Sequence, residues 1–456
     1  MDTVILSRIQ FALTSSFHYF YPPLSIGLGL MLVFFEGMYL RTNNVLYKTI
    51  AQFWMKVFGL TFALGVATGL VQLFGFGTNW ARYSRFVGDV FGSALGAEGV
   101  FAFFLEAGFI GIMLFGWERV SKKMHYLATI LVAIGSHFSA VWIVVANSWM
   151  QTPAGYKIVG EGSEAKAVVT DFWQMVCNPS ALDRLTHVIL GCWLSGAFLI
   201  LSVSAYYMLK QRHGNFARIC MKSGLLFAGI VLILQLISAD STARGVSVNQ
   251  PIKLAAMEGV YKTAPYTPLG IIGWVDSEQE QVHALRIPGL LSFLVYHNVD
   301  TPVRGLQEFP KDEWPNVPVL FQTYHLMIMM WGAMCLAVLA ACYAWRKKKL
   351  EKAKWVLRFL VVSVVFPAFA NLSGWYTAEM GRQPWVVYKL LRTKDGVSPS
   401  IVASQVATSI IMLICIYSLL FVLFLYLLNR KIQHGPDGEP GEKGAELEYR
   451  NPYGSM

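Results

Sequence analysis

Five side chains able to bind or hold a redox metal, His18, Glu98, His187, Met327 and Glu379, interrupt stretches that are otherwise almost continuously apolar. A haem iron takes one or two axial ligands from protein, commonly His or Met and sometimes an oxygen donor, and bundle cofactors sit between facing helices. Taken singly, each has a bland alternative. A lone helix-end histidine usually bonds backbone or water, and a lone methionine usually packs. His325, two residues before Met327, points to another side of its helix and is the weaker ligand candidate. Glu98 and Glu106 are a second kind of signal. Eight residues separate them, about 12 Å of rise and about 80° of rotation on an ideal helix, so they can line one side of a path. Intramembrane carboxyls commonly mark proton relays. Ser139 and His137 extend the same line, although ordinary interhelical hydrogen bonding is the stronger reading for those two.

The elements that must position these groups are membrane helices. The chain has 456 residues, 55% hydrophobic and 14% charged, with a mean hydropathy of +0.48, outside the balance of a soluble globular domain. Apolar runs long enough to cross about 30 Å of hydrocarbon fall at roughly 15–40, 53–77, 94–117, 125–149, 184–209, 219–239, 319–345, 355–378 and 401–428. Unbroken runs of this length are helices and not the alternating strands of a barrel. The expectation is an all-α, polytopic integral membrane protein with about nine transmembrane helices, the first retained and not a cleaved signal.

Loops 41–53, 118–125, 210–222 and 346–358 carry Lys and Arg at several times the density of the opposite loops. They are expected to be cytoplasmic, which places the N-terminus outside and the C-terminus inside. On that topology His18, Glu98, His187, Met327 and Glu379 all fall at one depth, near the outer face. The net charge of +10 is explained by those loops, and nucleic acid is not expected as a partner. The six cysteines form no Cys-x-x-Cys pair, which argues against a zinc site or covalent haem attachment. Four regions are expected: helices 1–6 over 1–239, a partly folded outer loop over 240–318, helices 7–9 over 319–428, and a disordered cytoplasmic tail over 429–456.

Longer stretches around these residues resemble subunit I of the cytochrome bd-type quinol oxidases. They are Arg8-Ile-Gln-Phe through His18, Gly96-Ala-Glu98-Gly with Phe103-Phe-Leu-Glu106, Ser139 through Asn147-Ser-Trp-Met-Gln, and Gly374-Trp375-Tyr-Thr-Ala-Glu379-Met-Gly-Arg382-Gln-Pro-Trp385. The resemblance covers nearly the whole chain, and the Gly-Arg-Gln-Pro-Trp run is its most specific part. It implies that His187 and Met327 are the axial ligands of a low-spin haem b. It implies also that His18 and Glu379 each hold one of two high-spin haems, one haem b and the other haem d or a further haem b. Glu98 would stand at the oxygen-reacting haem with Glu106 supplying protons, Arg382 would assist cofactor binding, and Trp375 would stack between cofactors. The long outer loop, of the short type, would bind quinol through Lys253 and Glu258. A second membrane subunit and a small single-helix subunit are the implied partners, quinol and dioxygen the substrates, and the bacterial cytoplasmic membrane the location.

Two other classes remain open to the sequence. A haem b electron-transfer subunit without oxygen chemistry needs histidines paired on two helices, and only His125 and His137 come near. A transporter whose carboxyls bind ions leaves the clustering of His18, His187 and Met327 unexplained.

Overall fold

Proline sets the first break in the chain. In the computed structural model, which describes residues 2–437, helix α1 (Thr3–His18) ends just before Pro22 and Pro23, which occupy the first turn of α2 (Tyr21–Thr42). The first turn tolerates proline because its N–H groups have no intrahelical acceptor anyway. The sequence placed one span at 15–40; the helix instead begins at Thr3, because Ser7, Arg8 and Gln10 mask it in hydropathy. Gln10 donates to Ser409 and accepts from Asn79, and Arg8 reaches the Met380 sulfur. His18 therefore ends a helix within the protein and does not begin a span.

The remaining major helices are α3 (Val45–Thr78), α4 (Gly88–Ala97), α5 (Phe104–Phe115), α6 (Lys122–Gln151), α7 (Ala181–Lys210), α8 (Gly214–Asn249), α9 (Pro251–Glu258), α10 (Leu290–Tyr296), α11 (Val317–Arg346), α12 (Lys354–Val362), α13 (Val365–Met380) and α14 (Ala403–His434). Among the described residues, nine helical segments are long and apolar enough to cross a membrane. Glu98–Phe103, between α4 and α5, is a π-helical turn. Such turns are uncommon and concentrate at functional sites, and this one changes the rotation between Glu98 and Glu106 from the ideal-helix value.

In lipid the apolar surface of a helix gains little by meeting another, so close approach depends on small residues. A β-carbon at Gly27 of α2 or at Gly196 of α7 would collide with backbone of the other helix. That contact joins two of the best-buried helices, around Leu28, Phe35, Phe198 and Leu201.

Helix α8 runs ten residues past the expected 239. Asp240 pairs with Arg244 at 2.6 Å and Ser241 donates to Asp183 at 2.8 Å, so the extension is polar and held by bonds to its neighbours. The rest of the 240–318 loop is folded: α9, a hairpin of β3 (Leu269–Asp276) with β4 (Gln281–Ile287), and α10 close over their own apolar cluster with Phe321 of α11. A smaller hairpin, β1 (Tyr156–Val159) with β2 (Lys166–Val169), follows α6. The tail expected from 429 is helical to His434, and Asp437 reaches Lys56 at 2.6 Å. The expectation of disorder for the remainder, 438–456, lies outside the described residues.

Candidate functional site

One cavity of about 1260 Å³ runs through the bundle and beneath the 240–318 loop. Small-molecule pockets usually enclose 300–1,000 Å³, so it has room for more than one flat ligand. His18, Glu98, Glu106, His187, Lys253, Glu258, Met327, Trp375, Glu379 and Arg382 all line it. Tertiary structure thus brings every expected site residue to one continuous space, including the two loop residues.

The ring of His18 is held in a tautomer suited to metal binding. Thr68 Oγ1 donates to the Leu64 carbonyl at 2.8 Å, so its oxygen accepts from His18 Nδ1–H at 3.0 Å. That leaves Nε2 as the lone-pair nitrogen, the arrangement a second-shell partner normally imposes on a ligating imidazole. Gly69 gives the ring its space: a β-carbon there would stand 3.1 Å from His18 Cε1. His187 projects from α7, and among the described residues its ring's hydrogen-bond partner is the amide of Gln235, 3.1 Å from both ring nitrogens, while Gln235 Oε1 is buried without a partner. An imidazole so loosely tied has a nitrogen available. Met327, from α11, is accommodated by Gly374 of α13.

Glu379 sits in a buried polar network. Asn147 donates to its Oε1 at 2.8 Å, Arg382 bonds Oε2, and Arg184 bonds the Asn147 side chain and, at 3.2 Å, its carbonyl. Each carboxylate oxygen keeps a second lone pair. Arg382, only 3% exposed, leaves Nη1 buried and unpaired, and Lys253, 4% exposed, lies nearby. Two guanidinium groups, of Arg382 and Arg184, thus bear on a single carboxylate, with the Lys253 amine near them. Buried charge must be paired, and an anionic group such as a haem propionate satisfies this excess. Arg184 was not singled out in the sequence because it stands at the edge of its span, where a basic residue reads as a topology marker.

Lys253 Nζ donates to Gln151 Oε1 and Gln250 Oε1, both at 2.6 Å, and its stem lies over Gly381 of the Gly-Arg-Gln-Pro-Trp run. Burial, with Arg184 and Arg382 near it, holds its pKa well below the ordinary lysine value. Burial pushes the Glu258 carboxyl up to about 7, with the Tyr324 hydroxyl bond opposing, and Glu258 Oε2 has no partner. A donor and a free carboxylate oxygen thus face the same cavity. Elsewhere along the cavity, Glu98 accepts from Ser139 at 2.9 Å, and Glu106 packs beside Ser136 and against Gly135. Ser136 was missed in the sequence, although it lies one turn from Ser139. Trp375 lines the cavity with its ring 6.4 Å from Phe11 and 5.1 Å from Tyr376.

The remaining histidine candidates are engaged elsewhere. His137 Nδ1 donates to the Ala133 carbonyl and Nε2 accepts from Trp193, at 2.7 and 2.9 Å. His325 bonds the Phe321 and Gly270 carbonyls, tying β3 to α11. His125 bonds Glu36 and the Met113 carbonyl. The paired-histidine reading loses both of its ligands.

Residues 6–436 match the family described as cytochrome bd terminal oxidase subunit I. The chain belongs to that family. It is 38% identical to cytochrome bd ubiquinol oxidase subunit 1 of Bacillus subtilis (strain 168), over 96% of this chain and 95% of the relative. It is 33% identical to cytochrome bd-II ubiquinol oxidase subunit 1 of Escherichia coli (strain K12), over 97% and 98%. The bd oxidase structure from Geobacillus thermodenitrificans superposes with a TM-score of 0.88 at 29% identity, covering 95% of this chain and 99% of that one. Family and helices together make this a multi-pass protein of the bacterial inner membrane. The residues present suit haem: nitrogen and sulfur donors with cleared space, and two guanidinium groups that share one carboxylate.

Proposed function

We propose that this subunit oxidises quinol at the outer face and reduces dioxygen to water, with protons drawn from the cytoplasm. The N-terminus is then outside, as the distribution of basic loops supports. The protein works beside a second membrane subunit, as bd oxidases do, and a small single-helix subunit is part of the same reading.

The observation that carries it is the continuity of one cavity from Glu258 Oε2 and Lys253 to His18, Glu98 and Glu379. Lys253 donates to one quinol oxygen, and Glu258, as carboxylate, takes a proton from a quinol hydroxyl. Arg382 and Arg184 would hold the anionic propionates of a bound haem. His187 with Met327 would hold a low-spin haem b, and His18 and Glu379 would each hold a high-spin haem, one b-type and the other d-type or a further b. When bound, these groups supply one-electron transfer and, where the iron is open, oxygen binding. Glu106 passes protons by way of Ser136 and Ser139 to Glu98, at the end of the cavity where oxygen reacts. Trp375, between Phe11 and the Glu379 turn, gives a flat ligand an aromatic wall.

The deciding measurement is a reduced-minus-oxidised absorbance spectrum of the purified complex with and without carbon monoxide, run beside quinol-driven oxygen consumption. A carbon-monoxide-sensitive haem band together with oxygen uptake is expected. Haem without oxygen uptake would leave an electron-transfer subunit, and no haem in an assembled complex would remove the redox reading.

A further inference from the structure

A second polar site lies at the other end of the bundle, where the oxidase chemistry assigns nothing. Glu36 of α2 and His125 of α6 are 2% and 1% exposed, and Glu36 Oε1 lies 2.6 Å from His125 Nδ1. Thr129 donates to Glu36 Oε2 at 2.6 Å, and His125 Nε2–H donates to the Met113 carbonyl at 3.1 Å. Because Nε2 faces a carbonyl it carries hydrogen, so the proton shared between Nδ1 and Oε1 is the mobile one. The Trp117 ring covers His125, with centroids 4.0 Å apart.

Outside the pair is a pocket of about 110 Å³ lined by Glu36, His125, Lys48, Glu118, Lys122 and Tyr39. A water takes about 30 Å³ of liquid, so a few waters fit between the pair and solvent. Lys48 and Glu118 pair at 2.9 Å across the rim, with Glu118 exposed. Buried ionisable pairs are expensive in a membrane helix and weak as stabilisers, so they are functional candidates.

The geometry points to Glu36–His125 as the proton-entry site for the Glu106–Glu98 path. His125, Thr129, Ser136 and Ser139 share one face of α6, spaced by 4, 7 and 3 residues, a helical repeat. The last two meet Glu106 and Glu98. Between the clusters lies an apolar layer of Leu32, Phe58, Met113 and Val132, about 10 Å deep by helix rise. Proton passage requires transient water there, and the layer is closed in both directions when dry. In each cycle the pair gives one proton inward and regains one from solvent through the pocket, with no net change in its own charge. This inference rests on the oxidase reading and on the cytoplasmic placement of the 118–125 loop.

The test is Glu36→Gln in the intact complex, with haem spectrum, KM for quinol and kcat for oxygen consumption measured together. Expected is a kcat lower by about tenfold or more, with unchanged spectrum and KM. Unchanged kcat in a complex with full haem overturns the entry site while leaving the oxidase reading intact; a wild-type complex without oxygen consumption overturns that reading itself. Should E36Q fail to assemble, Thr129→Val removes only the hydroxyl that holds Glu36. Slower kcat at constant KM supports the site, and unchanged kcat overturns it.

Discussion

The sulfur of Met327 lies 2.9 Å from the point where a β-carbon would stand at position 374, so Gly374 is what gives the thioether its place. Real β-carbons do not approach sulfur that closely. Gly374→Ala should push Met327 out of position, removing or broadening the low-spin haem b band. Protein in the membrane should be retained, because α13 gains a better helix former. A normal low-spin band in this variant would show that Met327 is packing and not a ligand.

His187 should fail in the same way through chemistry instead of space. Among the described residues its ring hydrogen-bonds the Gln235 amide alone, so His187→Ala removes little protein hydrogen bonding but the whole nitrogen donor. Loss of the low-spin signal with the subunit still assembled is expected. Persistence of that signal would sink the assignment.

Glu106→Gln keeps volume and the packing against Gly135 but cannot carry a proton. Oxygen consumption should fall by about a hundredfold, within the range for a lost proton-transfer group, while haem content measured on the same sample stays at the wild-type level. Equal turnover would place the proton path elsewhere.

Glu258 gives a pH dependence with a definite sign. Its carboxyl titrates near 7 because burial disfavours the charged form. Only the carboxylate accepts a quinol proton, so kcat/KM for quinol should fall on the acid side with a midpoint near that value and level off above it. Glu258→Gln should lower kcat/KM and flatten the acid limb. A limb that survives the substitution belongs to another group.

Much of this protein was legible as one-dimensional pattern. Nine spans, the long loop between the sixth and seventh, and the candidates His18, Glu98, Glu106, His187, Met327 and Glu379 came from hydropathy and from a few residues out of place in apolar helices. Lys253, Glu258, Trp375 and Arg382 came only from the family resemblance. Misreadings had a common cause. Helix α1, the extra turns of α8 and the helical start of the tail are polar segments that continue as helix by bonding to neighbours, as Gln10 does to Asn79 and Ser241 to Asp183. A hydropathy window has no means of detecting such partners.

The sequence by itself determined that the chain crosses a membrane many times and which side chains lack a reason to be there, because both follow from the cost of polarity in hydrocarbon. Only the tertiary structure decided which of those residues share a space. It set His18 in the tautomer imposed by Thr68, left Arg382 with an unpaired buried nitrogen, and ruled out His137 and His325 as ligands by bonding both nitrogens of each. Those outcomes depend on distances between helices far apart in the chain. The glycines at 27, 69, 196 and 374 set such distances through the absence of a side chain, and what that absence makes room for becomes apparent only once the helices are packed.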